Sequence, residues 1–263
     1  MNIADHLNQP EDRDIYGKDM PQCEAPAFDR EELLRRDVLQ VLRILPKDLK
    51  ELIEADQVGS RRFYIAGGVV LSCVTGEKVN DIDVLCDSRA TAKRSADILA
   101  AKWNSKPYGT RNAYTVRNPR GPDVQFIHRW CFENPASVIE SFDFTVCQAV
   151  VYLVPKVDGG VIRKWEGTCG RSFYKDIAAR RLVYTAPNRQ EAAGGSMMRA
   201  FKYTRKGYYL DLPSLALLIH RVNSGVQRQR VTRDKEANII LALLEEVDPS
   251  MARLDNVVDP NLV

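Results

Sequence analysis

The stretch Phe63–Cys86, FYIAGGVVLSCVTGEKVNDIDVLC, decides how the chain is read. Phe63, Tyr64, Ile65 and Ala66 have the composition of a buried strand, and Gly67-Gly68 end it ahead of a short helical turn. Asp81-Ile82-Asp83 then opens a second apolar strand, Val84-Leu85-Cys86. Side chains alternate along a strand, so Asp81 and Asp83 share one face while Ile82 and Val84 point into the core. Two carboxylates on one face repel each other, an arrangement stable chiefly with a divalent cation between them, and magnesium is the natural expectation. The glycine pair bares its backbone amides to a close-lying phosphate, and the following helix offers its N-terminus to negative charge.

The flanking sequence reads as alternating strands and helices. Leu33, Leu34, Val38, Leu39, Val41, Leu42 and Leu45 recur at helical spacing up to Pro46, and Asp29 is the expected N-cap of that helix. A short second helix is expected over Lys47 to Asp56. Asp87-Ser88 should cap a helix from about Arg89 to Trp103. Ala113–Arg117 and Asp123–Ile127, joined through the turn formers Asn118-Pro119-Arg120-Gly121-Pro122, read as a hairpin. Asp143 lies between Phe142 and Phe144, on an expected strand with Thr145 facing the same side. Residues 1–28 lack periodicity and read as a loosely ordered arm.

The six cysteines form no C-x-x-C pair and no histidine stands near them at zinc spacing, so reduced thiols are expected. The polar, acidic start MNIADHLNQPEDRD and the lack of an apolar run of membrane-spanning length set the expectation of a cytoplasmic protein without a membrane partner. Charge is uneven. Between Val161 and Lys235 sixteen Lys/Arg face five acids, a bias that fits a polyanion such as a nucleoside triphosphate or RNA.

The Gly67-Gly68 pair followed by the Asp81-Ile82-Asp83 strand resembles the palm of the nucleotidyltransferase superfamily that includes DNA polymerase beta, poly(A) polymerases and CCA-adding enzymes. FDFTVCQAVVY (Phe142 to Tyr152) looks like the RRDFTxNAxAY motif of the CCA-adding branch, departing at Ser141-Phe142 and at Gln148. FYKDIAARRLVY (Phe173 to Tyr184) resembles the segment where those enzymes carry DLxxRxIR. SMMRAFKYTRKGYYL (Ser196 to Leu210) resembles their neck helix, with Arg199, Ala200, Lys202, Tyr203, Gly207 and Tyr208 matching. The blocks occur in the same order over residues 61 to 210.

The resemblance implies an α+β fold: a polymerase-beta-like palm, with a mixed sheet and covering helices, over 29–160, followed by a basic helical neck and C-terminal part over 161–263. It implies magnesium-dependent transfer of a nucleoside monophosphate from an NTP, ATP included, to a hydroxyl, with an RNA 3′ end as acceptor. Asp81, Asp83 and Asp123 would hold two metal ions, with Asp143 the rival for the third carboxylate. Gly67, Gly68, Asp143, Arg199 and Lys202 would bind the nucleotide. Where that branch reads the base with neck side chains, this chain has Ala192, Ala193 and Ser196, so base choice would fall to Arg199 and favour pyrimidines loosely. Transfer to a protein or small molecule, and a palm-fold binding module without turnover, remain as alternatives.

Overall fold

In the computed structural model residues 29–56, 63–154, 164–185, 187 and 194–227 are described. The strands β1 (Arg30–Glu32), β2 (Phe63–Ala66), β3 (Asp81–Cys86), β4 (Tyr108–Gly109), β5 (Ala113–Val116), β6 (Asp123–Ile127), β7 (Ala149–Val154) and β8 (Lys164–Gly170) form one mixed sheet in the order β1-β8-β7-β2-β3-β6-β5-β4. The β3–β6 pair is parallel and the other neighbours are antiparallel. Parallel neighbours need a long crossover. Helix α4 (Arg89–Lys102) and the β5–β6 hairpin, both legible in the sequence, supply it. Ser88 caps α4, its Oγ accepting from the Thr91 amide at 3.1 Å.

Strand alternation sorts the side chains between the two faces. Phe63, Ile65, Ile82, Val84, Val124, Phe126 and Val151 bury one face under α1 (Arg35–Ile44), α2 (Lys47–Asp56), α3 (Gly68–Thr75) and α4. Tyr64, Ala66, Leu85 and Val150 pack on the other face against Val138 and Ile139 of α5 (Pro135–Glu140). Asp81 and Asp83 fall in register with Leu85, so they emerge on that second face.

The neck is welded to the palm by aromatic packing. Helices α6 (Phe173–Ala178), α7 (Gly194–Arg205) and α8 (Leu212–Gln227) follow β8, with a short parallel pair, β9 (Arg181–Leu182) and β10 (Tyr209–Leu210), between them. Phe144, Tyr184, Tyr203, Tyr208, Ala200 and Leu218 form one buried cluster with Leu71 of α3. Gly207, at φ 84°, ends α7 and lets the Tyr208 amide return to the Tyr203 carbonyl at 3.1 Å.

Three expectations change. Residues Arg30–Glu32 form a strand rather than the first turn of a helix, because their backbone completes the β8 edge while their charged side chains stay in water. The sheet runs past residue 160, since β8 pairs along β7 from Lys164 to Cys169. The Asp143 segment enters a 3-10 turn, Thr145–Cys147, instead of a strand. Asp143 and Thr145 accordingly take different partners. The arm over 1–28, Ala192-Ala193 and the C-terminal residues 228–263 lie outside the described residues.

Candidate active site

The site begins where β2 ends. Gly67 has φ 73° and ψ −132°, a conformation in which any side chain is strained, and a Cβ there would also lie 3.3 Å from the Phe142 ring. The turn it makes starts α3 at Gly68, where a Cβ would meet nothing within 4 Å. Gly67 is therefore required by backbone and packing, while Gly68 leaves open space in front of the helix. Helix α3 itself carries no cation near its start, so positive charge must reach the site from elsewhere.

It comes from α7. A cavity of about 220 Å³ is bounded by Gly67 and Gly68, by Asp81 and Asp83 of β3, and by Lys202 and Arg199 of α7. Asp81 and Asp83 are half-buried side by side, as the alternation predicts. Gln125 of β6, opposite Asp83 in the parallel register, donates from Nε2 to Asp81 Oδ2 at 3.2 Å. Burial, then the neighbouring Asp81 charge, raise the Asp83 carboxyl to about 7, with the Lys202 ammonium pulling the other way. Oxygen donors under that repulsion fit a hard divalent ion such as magnesium.

Asp123 and Asp143 do not complete a trio. Asp123 is level with Asp81 on the adjoining strand, but its Oδ1 accepts from the Asn118 amide at 2.9 Å, closing the hairpin turn. It is absent from the cavity wall, whereas Asp143 is on it. Asp143 is 1% exposed, and its Oδ2 accepts from Arg199 Nε at 2.6 Å. Its charge is matched within the protein. Among the described residues no three His, Cys, Asp or Glu side chains converge as a metal site. Of the three carboxylates expected to hold metal, Asp81 and Asp83 line the cavity, and Gln125 beside them is hydrogen-bonded to Asp81. Arg199, expected to read a base, is held by Asp143.

Several neighbours were not singled out by the sequence. Lys206 lies one turn beyond Lys202, and both line a small hollow beside Gly68, Ser72 and Asn80. The i, i+4 spacing of the two lysines was the available signal. Lys206 Nζ also donates to Glu77 at 2.9 Å, so Lys202 is the more available of the two. Cys147 lies within 3.0 Å of the Tyr203 hydroxyl on the cavity floor, and burial pushes its thiol up to about 12, so it packs as a neutral group. The far wall is apolar: Leu85, Ile127, Phe142 and, from the loop after β6, Trp130 and Phe132. Their signal was the aromatic pair in HRWCFEN, directly after a strand that faces the site.

Known structures share this architecture. The Thermotoga maritima CCA-adding enzyme complexed with tRNA_CCA superposes with TM-score 0.52 at 16% identity, covering 84% of this chain and 54% of that one. A CCA-adding enzyme with CTP gives TM-score 0.52 at 16% identity over 84% and 53%. One with ATP gives 0.52 at 15% over 80% and 50%. At such identities the likeness is one of fold, a nucleotidyltransferase palm with its neck, and this chain spans about half the length of those enzymes. A curated relative, "Gabija anti-defense 2" of Bacillus phage SPbetaL7, is 28% identical over 173 residues, 65% of this chain but 39% of that protein. The chain thus spans about two-fifths of that relative's length. The family model for Gabija anti-defense 2 family protein matches residues 40–180, over half the chain and including the glycine pair and both β3 carboxylates, and the chain belongs to that family.

Proposed function

We propose that this protein is a magnesium-dependent nucleotidyltransferase that moves a nucleoside monophosphate from an NTP to a hydroxyl acceptor, and that this chemistry serves a phage anti-defense role. The observation that carries the reading is the placement of Asp81 and Asp83, side by side on the wall of one cavity with the glycine pair and Lys202. The family membership supports the anti-defense half of the proposal.

In this mechanism an acceptor hydroxyl attacks the α-phosphorus, a new P–O bond forms, the bond to the β-phosphate bridging oxygen breaks, and pyrophosphate leaves while the hydroxyl proton passes to solvent. Asp81 and Asp83 would hold the metal; bound there, magnesium neutralises phosphate charge and lowers the pKa of the attacking hydroxyl. Gly68 lets the triphosphate approach the backbone closely, and Lys202 meets its negative charge. Asp143 and Arg199 fix one another and so keep α7, with Lys202, against the palm. The fold neighbours whose structures hold tRNA, CTP and ATP support an NTP as donor and an RNA 3′ end as the first acceptor to try. The basic bias over 161–235 points the same way.

Among the described residues no third carboxylate converges with Asp81 and Asp83 as a metal site, which favours a second reading, a palm that binds nucleotide without turning it over. One experiment separates the two. Purified protein with magnesium, each α-labelled NTP in turn, total RNA and host cell protein is assayed for label in RNA or protein and for released pyrophosphate, with Asp83→Ala as control. Label or pyrophosphate that the control lacks supports transfer. Nucleotide binding with neither product, under magnesium or manganese, supports the binding module.

A further inference from the structure

The cavity changes character along β3. Asp81, Asp83 and Leu85 follow one another on one face at about 7 Å per step, and Ile127 stands beside Leu85 in the parallel register. Beyond them the loop between β6 and α5 brings Trp130 and Phe132 onto the wall. The charged end suits phosphates. The other end is an aromatic and aliphatic surface that a phosphate gains nothing from.

That surface is braced. The Arg129 guanidinium carbon sits 4.8 Å from the centre of the Trp130 ring, a cation–π contact that covers one face and fixes the ring plane. Phe132 packs on the Tyr64–Leu85–Val138–Ile139 cluster, so the wall is anchored to the sheet and α5. The loop's exit is set as well. Asn134 caps α5 by accepting from the Ser137 amide at 2.9 Å, with Pro135 in its first turn. Meanwhile two polar groups near the site have partners within the protein: Asp143 with Arg199 Nε at 2.6 Å, and Gln125 with Asp81 at 3.2 Å.

We propose that Trp130, braced by Arg129 and sharing the wall with Phe132, is a stacking platform for a nucleobase, so that this protein grips bases by their faces rather than by their edges. The inference rests on the nucleotidyl-transfer reading above and gives it a specificity: affinity for the base with little discrimination among bases, because every base has a π-face. The base is that of the donor NTP or that of the acceptor's terminal nucleotide, and both share this chemistry.

The test measures binding of each of the four NTPs, of a short oligoribonucleotide and of inorganic tripolyphosphate to wild type, Trp130→Ala and Trp130→Phe, with indole fluorescence recorded alongside. Trp130→Ala should weaken binding about ten-fold, nearly equally across the four bases, while Trp130→Phe keeps most of the affinity. Tripolyphosphate binding should be unchanged in both variants, a result that loop collapse would not give. Wild-type fluorescence should be quenched by nucleotide and the quench lost in Trp130→Phe. A loss confined to the NTPs assigns the platform to the donor, and a loss confined to the oligoribonucleotide assigns it to the acceptor. Nucleotide binding that is indifferent to Trp130→Ala, or an equal loss for tripolyphosphate, would overturn this inference alone. Wild-type protein that binds neither NTP nor oligoribonucleotide would overturn it together with the function proposed above.

Discussion

Two sets of carboxylates in the palm and neck are treated in opposite ways. Asp143 and Asp176 are almost wholly buried, and each meets an arginine: Arg199 at 2.6 Å for Asp143, and Arg181 Nη2 at 2.6 Å with Nε at 3.1 Å for Asp176. Thr145 Oγ1 adds a 2.6 Å hydrogen bond to Asp176. Asp81 and Asp83 are less buried but crowd together, with Gln125 donating to Asp81 and Lys202 nearby, while Arg199 on the same cavity wall is taken by Asp143, and one of the two is driven up to about 7. A buried acid with a matched base is a strut, stable as it stands. A pair of adjacent acids without one keeps its repulsion and desolvation, which added positive charge would relieve, as the proposed metal site requires.

The sharpest way to break this contrast is Asp81→Ala or Asp83→Ala. Nucleotidyl transfer should fall by roughly a thousand-fold or more, about 4 kcal/mol of barrier, while metal-free thermal stability is unchanged or raised because a repulsion has gone. Full activity in either variant would end the catalytic assignment. The struts should answer oppositely. Asp176→Ala leaves Arg181 and Thr145 without their acceptor and should cost about 3 kcal/mol or more in urea unfolding, with Asp143→Ala close behind. Unchanged midpoints would show that these pairs are not structural.

A third measurement uses pH. Folded Asp83 keeps its proton up to about 7, against 3.8 for an ordinary aspartate, so between those values the folded state binds more protons than the unfolded one. Its contribution is therefore fully present below about pH 4 and lost as pH rises through 7. Metal-free wild type should lose stability relative to Asp83→Asn between pH 5 and 8, and magnesium at pH 8 should restore wild type alone. Equal pH profiles for the two proteins would mean that Asp83 is not strained. The smallest effect is expected at Asp123. Asp123→Asn removes a turn acceptor and should cost about 1 kcal/mol and less than about three-fold in activity. A loss of orders of magnitude would make Asp123 a metal ligand after all, and the two-carboxylate site would have to be redrawn.

Much of the frame was legible because it rests on short-range rules. The β5–β6 hairpin follows from its turn residues, the α4 cap from Ser88, and the shared face of Asp81 and Asp83 from the two-residue period of a strand. The helix wrongly expected at Asp29 shows where such rules fail. Local propensity favoured a helix start at Asp29-Arg30-Glu31-Glu32, but an open strand edge 138 residues away took the backbone, as the Glu31–Cys169 pairing records.

What the sequence determined by itself was which residues could do chemistry and on which side of their own element they lie: the glycine pair, the two β3 carboxylates, and Lys202 on the neck helix. Only the tertiary structure decided which of those charges are already matched. Asp143 was given Arg199 from 56 residues further on, and Trp130 was swung onto the wall of the same cavity. Charge matching depends on distances of a few ångströms between segments far apart in the chain, and those distances are set by how the neck packs on the palm, which no local periodicity encodes.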